Sequence, residues 1–214
     1  MNHITDAALV NLRVREFDAP RQVVDIDPKL CQCSQCYPKQ LALADSRQQL
    51  TWGKLDEQLN RVANALIESG IKPNQRIAIL GSNSVEYALL FLGGLRAGIC
   101  ITPLSTLASS EALAGMINDS DAKLLFVSQD YWNLIDSVTD KLTRLLPGGL
   151  KILDGEGLDF NHTDRQSFAS FIEGASTDSV DISLSLDWGF NLIYSSGTTG
   201  LPKGILQSRR YRAL

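Results

Sequence analysis

Histidine is scarce in this chain, with His3 and His162 the only two among 214 residues. Positive charge is not in excess either: 20 Lys and Arg stand against 24 Asp and Glu, for a net charge of −4 and a pI near 5.2. No general field therefore draws nucleic acid or an anionic membrane to the protein, and any anion it binds must be held by a local device. Long apolar runs are missing as well. The most apolar stretch, Ala88 to Leu104, is interrupted by Gly93, Gly94, Arg96 and Gly98, and it is too short to cross a bilayer. It reads as a buried helix followed by a buried strand. The N-terminus is broken by charge throughout, unlike a signal peptide, so the cytoplasm is the expected compartment. No internal repeat or coiled-coil heptad occurs.

Cysteine is sparse but clustered, with Cys31, Cys33 and Cys36 in a C-x-C-x-x-C arrangement and Cys100 apart. A closed zinc site needs four ligands, and no second paired half follows at ribbon or finger spacing. The cluster therefore reads as incidental thiols in a reducing compartment.

What is present is an ordinary globular composition, 44% hydrophobic and 21% charged, enough for one sizeable core. Residues 1–36 have no sustained period and read as an irregular leader. Two short strands are expected around Leu41–Ala44 and Gln48–Leu50. Thr51 then caps a helix whose apolar face is Leu55, Leu59, Val62, Ala63 and Leu66, ended by Gly70. Strands follow at Arg76–Leu80, Ile99–Ile101, Lys123–Val127, Leu150–Leu153 and Gly189–Tyr194. Between them lie a helix capped by Ser84 and running to about Ala97, and one from Ser110 to Asn118. A longer helix carries Leu134, Ile135, Val138, Leu142 and Leu145 and ends near Pro147. Asp154 to Asp187 is acidic and Ser-rich, an exposed excursion with one short helix near Gln166–Glu173. Alternating strands and helices predict an α/β fold, a mainly parallel sheet with helices on both faces in αβα layers.

The last strand runs into Tyr194-Ser195-Ser196-Gly197-Thr198-Thr199-Gly200-Leu201-Pro202-Lys203-Gly204. Ser195, Ser196, Thr198 and Thr199 offer hydroxyl donors, and the glycines permit successive backbone N–H groups to point into one concavity. Pro202 stiffens the exit and Lys203 adds a point charge. At the carboxyl end of a parallel strand, such a loop is suited to holding a polyphosphate. Walker A spacing is excluded, because Lys203 precedes Gly204 rather than following it, and no G-x-G-x-x-G occurs.

Leu192 through Lys203 resembles the phosphate-binding signature of the adenylate-forming superfamily, which includes acyl-CoA synthetases, luciferases and peptide-synthetase adenylation domains. The resemblance continues collinearly upstream through Tyr37–Leu43, Leu50–Leu55, Asn60–Leu66, Ser82–Tyr87, Leu95–Gly98 and Asn118–Lys123. It implies activation of a carboxylate by ATP to acyl-AMP and pyrophosphate, then transfer to coenzyme A, as in fatty acid metabolism. Thr198, Thr199 and Gly200 would contact the β- and γ-phosphates, Ser196 and Gly197 would shape the cradle, and Lys203 would be the catalytic cation on the leaving group. Ser195 would reach Mg²⁺ carried by the nucleotide. No nucleic acid and no transmembrane segment are expected.

The chain departs from the family at Ser208-Arg209, where a Ser/Thr-His pair is frequent. Arg209-Arg210-Tyr211-Arg212 reads as the start of a solvated helix, or else as a basic patch near the phosphates. The family's later motifs, among them the ribose-binding acid, the hinge and the C-terminal lysine, do not occur in these residues. Residues 37–214 are therefore expected to be part of the N-terminal domain of such a ligase, cut after the phosphate loop and inactive alone. The alternatives are a carrier-protein-loading ligase or adenylation domain, and a non-catalytic binding module that keeps the fold.

Overall fold

A computed structural model describes residues 26–154, 165–195 and 202–212. Its centre is a six-stranded sheet. The strands are β3 (Arg76–Leu80), β4 (Cys100–Pro103), β5 (Ala122–Val127), β6 (Leu150–Ile152), β7 (Gly189–Ser195) and β8 (Lys203–Ser208). They lie in the order β6-β5-β3-β4-β7-β8. Every neighbouring pair is parallel except β7 with β8, which is antiparallel. A small antiparallel ribbon, β1 (Leu41–Ala44) with β2 (Gln49–Thr51), precedes the sheet.

Strand pleating sends successive side chains to opposite faces. In β3 this places Ile77 and Ile79 in one apolar layer and Ala78 and Leu80 in the other. The same alternation divides β5 into Leu124 and Phe126 against Leu125 and Val127. The first layer is covered by α1 (Ile26–Cys36), α2 (Trp52–Glu68), α3 (Val85–Arg96) and α6 (Phe168–Ile172). The second is covered by α4 (Ser110–Asp119) and α5 (Trp132–Asp136). Both faces of the sheet are therefore dry at its centre, in β3, β4 and β5, which is why those strands read as continuous apolar runs. The expected α/β fold, a mainly parallel sheet with helices on both faces, is what the chain adopts.

Helix starts follow local chemistry. Thr51, Ser84 and Ser109 each accept a hydrogen bond from the backbone N–H three residues on, at 3.4, 3.1 and 3.3 Å, satisfying a donor that the first turn leaves unpaired. At the far end of α2 the cap is Ser69, and Gly70 follows at φ +85°, the left-handed conformation a glycine adopts without strain.

Three elements differ from the sequence expectation. Residues 26–36, inside the supposed leader, are helical. No residue of α1 is buried, so its order comes from docking, through Ile26 and Leu30 on the core and through Arg96. That guanidinium is 4% exposed. It reaches Asp27 at 2.7 Å, Asp56 at 2.8 Å and the Asn60 side-chain oxygen at 2.8 Å. Burial works against its charge, yet Asp27 and Asp56 hold its pKa above the ordinary value.

The long helix expected over 134–145 is instead α5 flanked by 3₁₀ turns at Gln129–Tyr131 and Thr139–Lys141. Asn118 explains the interruption. Its amide donates to the Lys141 carbonyl at 2.7 Å and accepts from Thr143 N at 3.0 Å, taking backbone groups that a continuing helix would pair internally. The third difference is β8, which sequence patterning missed.

Candidate functional site

The phosphate-loop candidate sits at the carboxyl end of β7. Gly189 to Ser195 form that strand, Lys203 to Ser208 return as β8, and Ser195 is the direct partner of Lys203. β7 and β8 thus form an antiparallel pair joined through the candidate loop. Ser195 and Lys203 are exposed, and as opposed residues of an antiparallel pair they share a face. Ser196, Gly197, Thr198, Thr199 and Gly200 lie outside the described residues. Of the predicted site residues, then, the two roots of the loop are brought together.

One residue earlier, Tyr194 projects from the opposite face of β7 into the layer of α4. Its hydroxyl donates to Asp119 Oδ2 at 2.6 Å and lies 3.1 Å from the Met116 carbonyl. Burial first, and then the hydrogen bond and charge of Asp119, raise the phenol well above its usual range, so Tyr194 remains a donor through neutral pH. A cavity of about 230 Å³ adjoins it, lined by Tyr194, Pro202, Asp119, Met116 and Gly115 among others. Tyr194 therefore bonds the C-terminal half of α4 directly, and Pro202 faces it across this cavity. Tyr194 and Asp119 each fall within a sequence motif, but nothing local signals that they meet.

The basic run after β8 is divided. Arg209 is fully buried and donates to the Leu95 carbonyl at 2.9 Å, where the C-terminal end of α3 favours a cation. Arg210 pairs with Asp187 at 3.0 Å and Arg212 bonds Gln207 at 2.7 Å, both on the surface. The four-residue helix α7 (Arg209–Arg212) is therefore solvated at Arg210, Tyr211 and Arg212 but not at Arg209. This corrects the reading of all four as one solvated run or basic patch.

A second polar feature lies where the chain leaves β3 and β5. From β3 the chain passes to β4 on one side, and from β5 to β6 on the other, so the crevice between their carboxyl ends is a topological switch point, a usual place for ligands. It encloses about 450 Å³ between Ser82–Ser84, Ser128–Asp130, Arg47 and Asp154. Two of its charges are already engaged, since Arg47 contacts Glu86 at 2.7 Å and Asp154 at 3.9 Å, and the Ser82 hydroxyl is bonded to that of Tyr131 at 2.7 Å. The cysteines belong to neither site. Cys31, Cys33 and Cys36 are free thiols on α1, and Cys31 takes a 3.5 Å contact from the Arg96 guanidinium. Burial, followed by Asp27, raises the Cys31 pKa, which lowers its thiolate fraction.

The profile of the AMP-binding enzymes matches residues 32–213. The chain belongs to that family. Over 173 residues it is 31% identical to a linear gramicidin synthase protein of Brevibacillus parabrevis, covering 81% of this chain and 3% of that protein. It is 27% identical over 175 residues to a medium/long-chain-fatty-acid–CoA/3-oxocholest-4-en-26-oate–CoA ligase of Mycolicibacterium smegmatis, covering 79% of this chain and 30% of the ligase. The crystal structure of the anthranilate CoA ligase AuaEII in complex with anthranoyl-AMP superposes with a TM-score of 0.80 at 25% identity, across 89% of this chain and 36% of that one. The chain thus spans less than a third of the length of these curated relatives. Among the described residues, no helix is long and apolar enough to cross a membrane.

Proposed function

We propose that this chain supplies the nucleotide-phosphate cradle of an acyl-CoA synthetase, an enzyme that joins a carboxylate to AMP and then to coenzyme A. In the first step a carboxylate oxygen bonds to the α-phosphorus of ATP while the bond from that phosphorus to the bridging oxygen breaks. Pyrophosphate leaves with the electron pair. In the second step a thiol sulfur bonds to the acyl carbon and AMP departs. The chemical demand in the first step is to orient a tetra-anionic nucleotide and neutralise charge as it moves onto pyrophosphate. Thr198, Thr199 and Gly200 would donate to the β- and γ-phosphates, with Ser196 and Gly197 shaping the backbone. Lys203 would hold the departing pyrophosphate as its charge grows.

The observation that carries this reading is the exposed pairing of Ser195 with Lys203 at the root of the loop. A hydroxyl and an ammonium on one face, at the carboxyl end of a sheet strand, suit a phosphate chain. Mg²⁺ fits the same arrangement only as an ion borne by the nucleotide. Among the described residues no group of three or more His, Cys, Asp or Glu could hold a metal, whereas Mg²⁺ often takes few protein ligands beside substrate phosphates. Bound so, it would supply charge neutralisation, and Ser195 would be the hydroxyl that orients it.

A second reading changes the acceptor and not the chemistry. Similarity to linear gramicidin synthase and, at 28% identity, to the fatty acid–[acyl-carrier-protein] ligase ScoC of Streptomyces coeruleorubidus favours a carrier-protein thiol in place of CoA. Calorimetric titration of the chain with MgATP and with magnesium pyrophosphate tests the shared part. Saturable binding to both is expected, and its absence would sink the cradle. Incubation with ATP, a panel of fatty acids and CoA is expected to release no AMP from these 214 residues alone, and turnover would overturn that expectation.

A further inference from the structure

We propose that Tyr194 is a positioning residue for the phosphate loop, a clasp whose hydroxyl on Asp119 fixes the hairpin root against α4 and so sets where Ser195 and Lys203 stand. The proposal rests on the cradle reading above. Three observations carry it. The first is the hydrogen bond itself. At 2.6 Å from Asp119 Oδ2, the contact has the length of a hydroxyl donating to an ionised carboxylate, about twice as strong as a neutral pair. Asp119 is the last residue of α4, where the helix dipole disfavours a negative charge. Its carboxylate needs a donor, and Tyr194 provides one from a separate element.

The second observation is the place of Tyr194 in the chain. It directly precedes Ser195 on β7, and its backbone partner on β8 is Gly204, directly after Lys203. One side chain is thereby adjacent to both roots. The third is the fit of its ring. A Cβ placed on Gly204 would lie 3.2 Å from Tyr194 Cε1 and 3.4 Å from Cζ, closer than most packed carbons come, so the ring already rests on the bare backbone of β8. Asp119 on one side and Gly204 on the other leave the ring little freedom. Lys203 to Leu206 of β8 are all exposed, so beyond the β7–β8 ladder apolar burial of β8 does little to hold the root in place.

The test compares Tyr194→Phe with the wild-type chain by amide hydrogen exchange over residues 194–206 and by MgATP affinity. Phe keeps the ring and removes only the hydroxyl. Exchange over 194–206 is expected to rise about fivefold and MgATP affinity to fall about fivefold, the scale of one lost net hydrogen bond. Asp119→Ala should match it, Asp119→Asn should be milder because an acceptor oxygen remains, and the double variant Tyr194→Phe/Asp119→Ala should be no worse than either single one. Ile117→Val is the control, a buried methylene lost from the same helix. It should lower stability while leaving exchange at 194–206 and affinity unchanged. Wild-type exchange in Tyr194→Phe, additive effects in the double variant, or an equal response from Ile117→Val would each overturn the clasp. Failure of the wild-type chain to bind MgATP would instead count against the cradle, and the exchange data would still decide whether Tyr194 holds the root.

Discussion

The centre of the sheet and its β7–β8 end are built on opposite principles. In β3 and β5 nearly every side chain is buried on one face or the other, and the neighbours are helices. In β8 the four leading residues are exposed, Ile205 and Leu206 at 51% and 54% included. The centre is held by non-directional apolar burial, whose cost of disruption scales with area and cavity volume. The hairpin depends on a few directed contacts, which weigh little in the stability of the whole but much in the position of particular atoms. Substitutions in the first region should therefore register as stability, and in the second as affinity.

The largest expected effect lies at the centre. Phe126 is fully buried, with the rings of Phe168 and Phe171 edge-on at 6.2 and 5.4 Å. Phe126→Ala should cost about 3–5 kcal/mol of unfolding free energy, read from urea denaturation, with MgATP affinity of the folded fraction unchanged. A tenfold loss of affinity in folded protein would break the division between the two regions.

Next comes Arg96, polar in kind but structural in role. Replacement by Met fills similar volume and leaves Asp27 and Asp56, 17% and 30% exposed, without their shared cation. A loss of about 2–3 kcal/mol is expected, below the range for fully buried pairs because water reaches the acids. It should appear as faster amide exchange over α1. Unchanged protection at residues 26–36 would mean that Ile26 and Leu30 suffice to dock the helix.

These two sites also mark how far local pattern reaches. Phe126 is legible in the sequence because a run of apolar residues bounded by helices has to be a buried strand. Thr51 and Ser84 are legible because a cap acts within three residues. The role of Arg96 is not, since the residue shows in the sequence as an interruption in an apolar stretch and as part of a segment that resembles the family. Its partners Asp27 and Asn60 stand 69 and 36 residues away, and pairing over such distances leaves no local pattern. The same holds for Tyr194 and Asp119, 75 residues apart. The candidate phosphate loop stands out most in the sequence because the signature it resembles is local, an order of glycine, hydroxyl and lysine. β8 escapes notice because Lys203–Ser208 alternates poorly and runs into basic residues, so only pairing with β7 makes it a strand. Asn118 belongs to a segment that resembles the family, yet its grip on residues 141–143 cannot be read from that resemblance.

Lys203→Met should sharpen the contrast from the hairpin side. The residue is exposed, so unfolding free energy should not move measurably, whereas affinity for MgATP and magnesium pyrophosphate should fall roughly tenfold as a charge-assisted contact is lost. The fall should be larger for pyrophosphate if Lys203 serves the leaving group. Equal losses for AMP, which lacks the β- and γ-phosphates, would place the lysine elsewhere on the nucleotide.

The smallest expected effect asks whether polar groups beside the centre serve the fold as the apolar ones do. Asp45 lies in the turn between β1 and β2 and accepts three backbone N–H bonds, from Arg47 at 2.8 Å, Gln48 at 2.9 Å and Val85 at 2.9 Å. The last of these caps the first turn of α3. These bonds, Val85 foremost, lower its pKa below the ordinary value. A depressed carboxylate stabilises the fold above its unfolded value of about 3.9 and loses that contribution as pH falls through its folded value. Asp45→Asn leaves one oxygen to accept where the carboxylate has two, so the variant should be less stable than wild type at pH 7. Urea midpoints at pH 7, 5, 4 and 3 should show that gap holding down to about pH 4 and closing below it. A gap constant across the series would mean that the Asp45 charge is irrelevant and that only the shape of the turn holds β1 and β2 to α3.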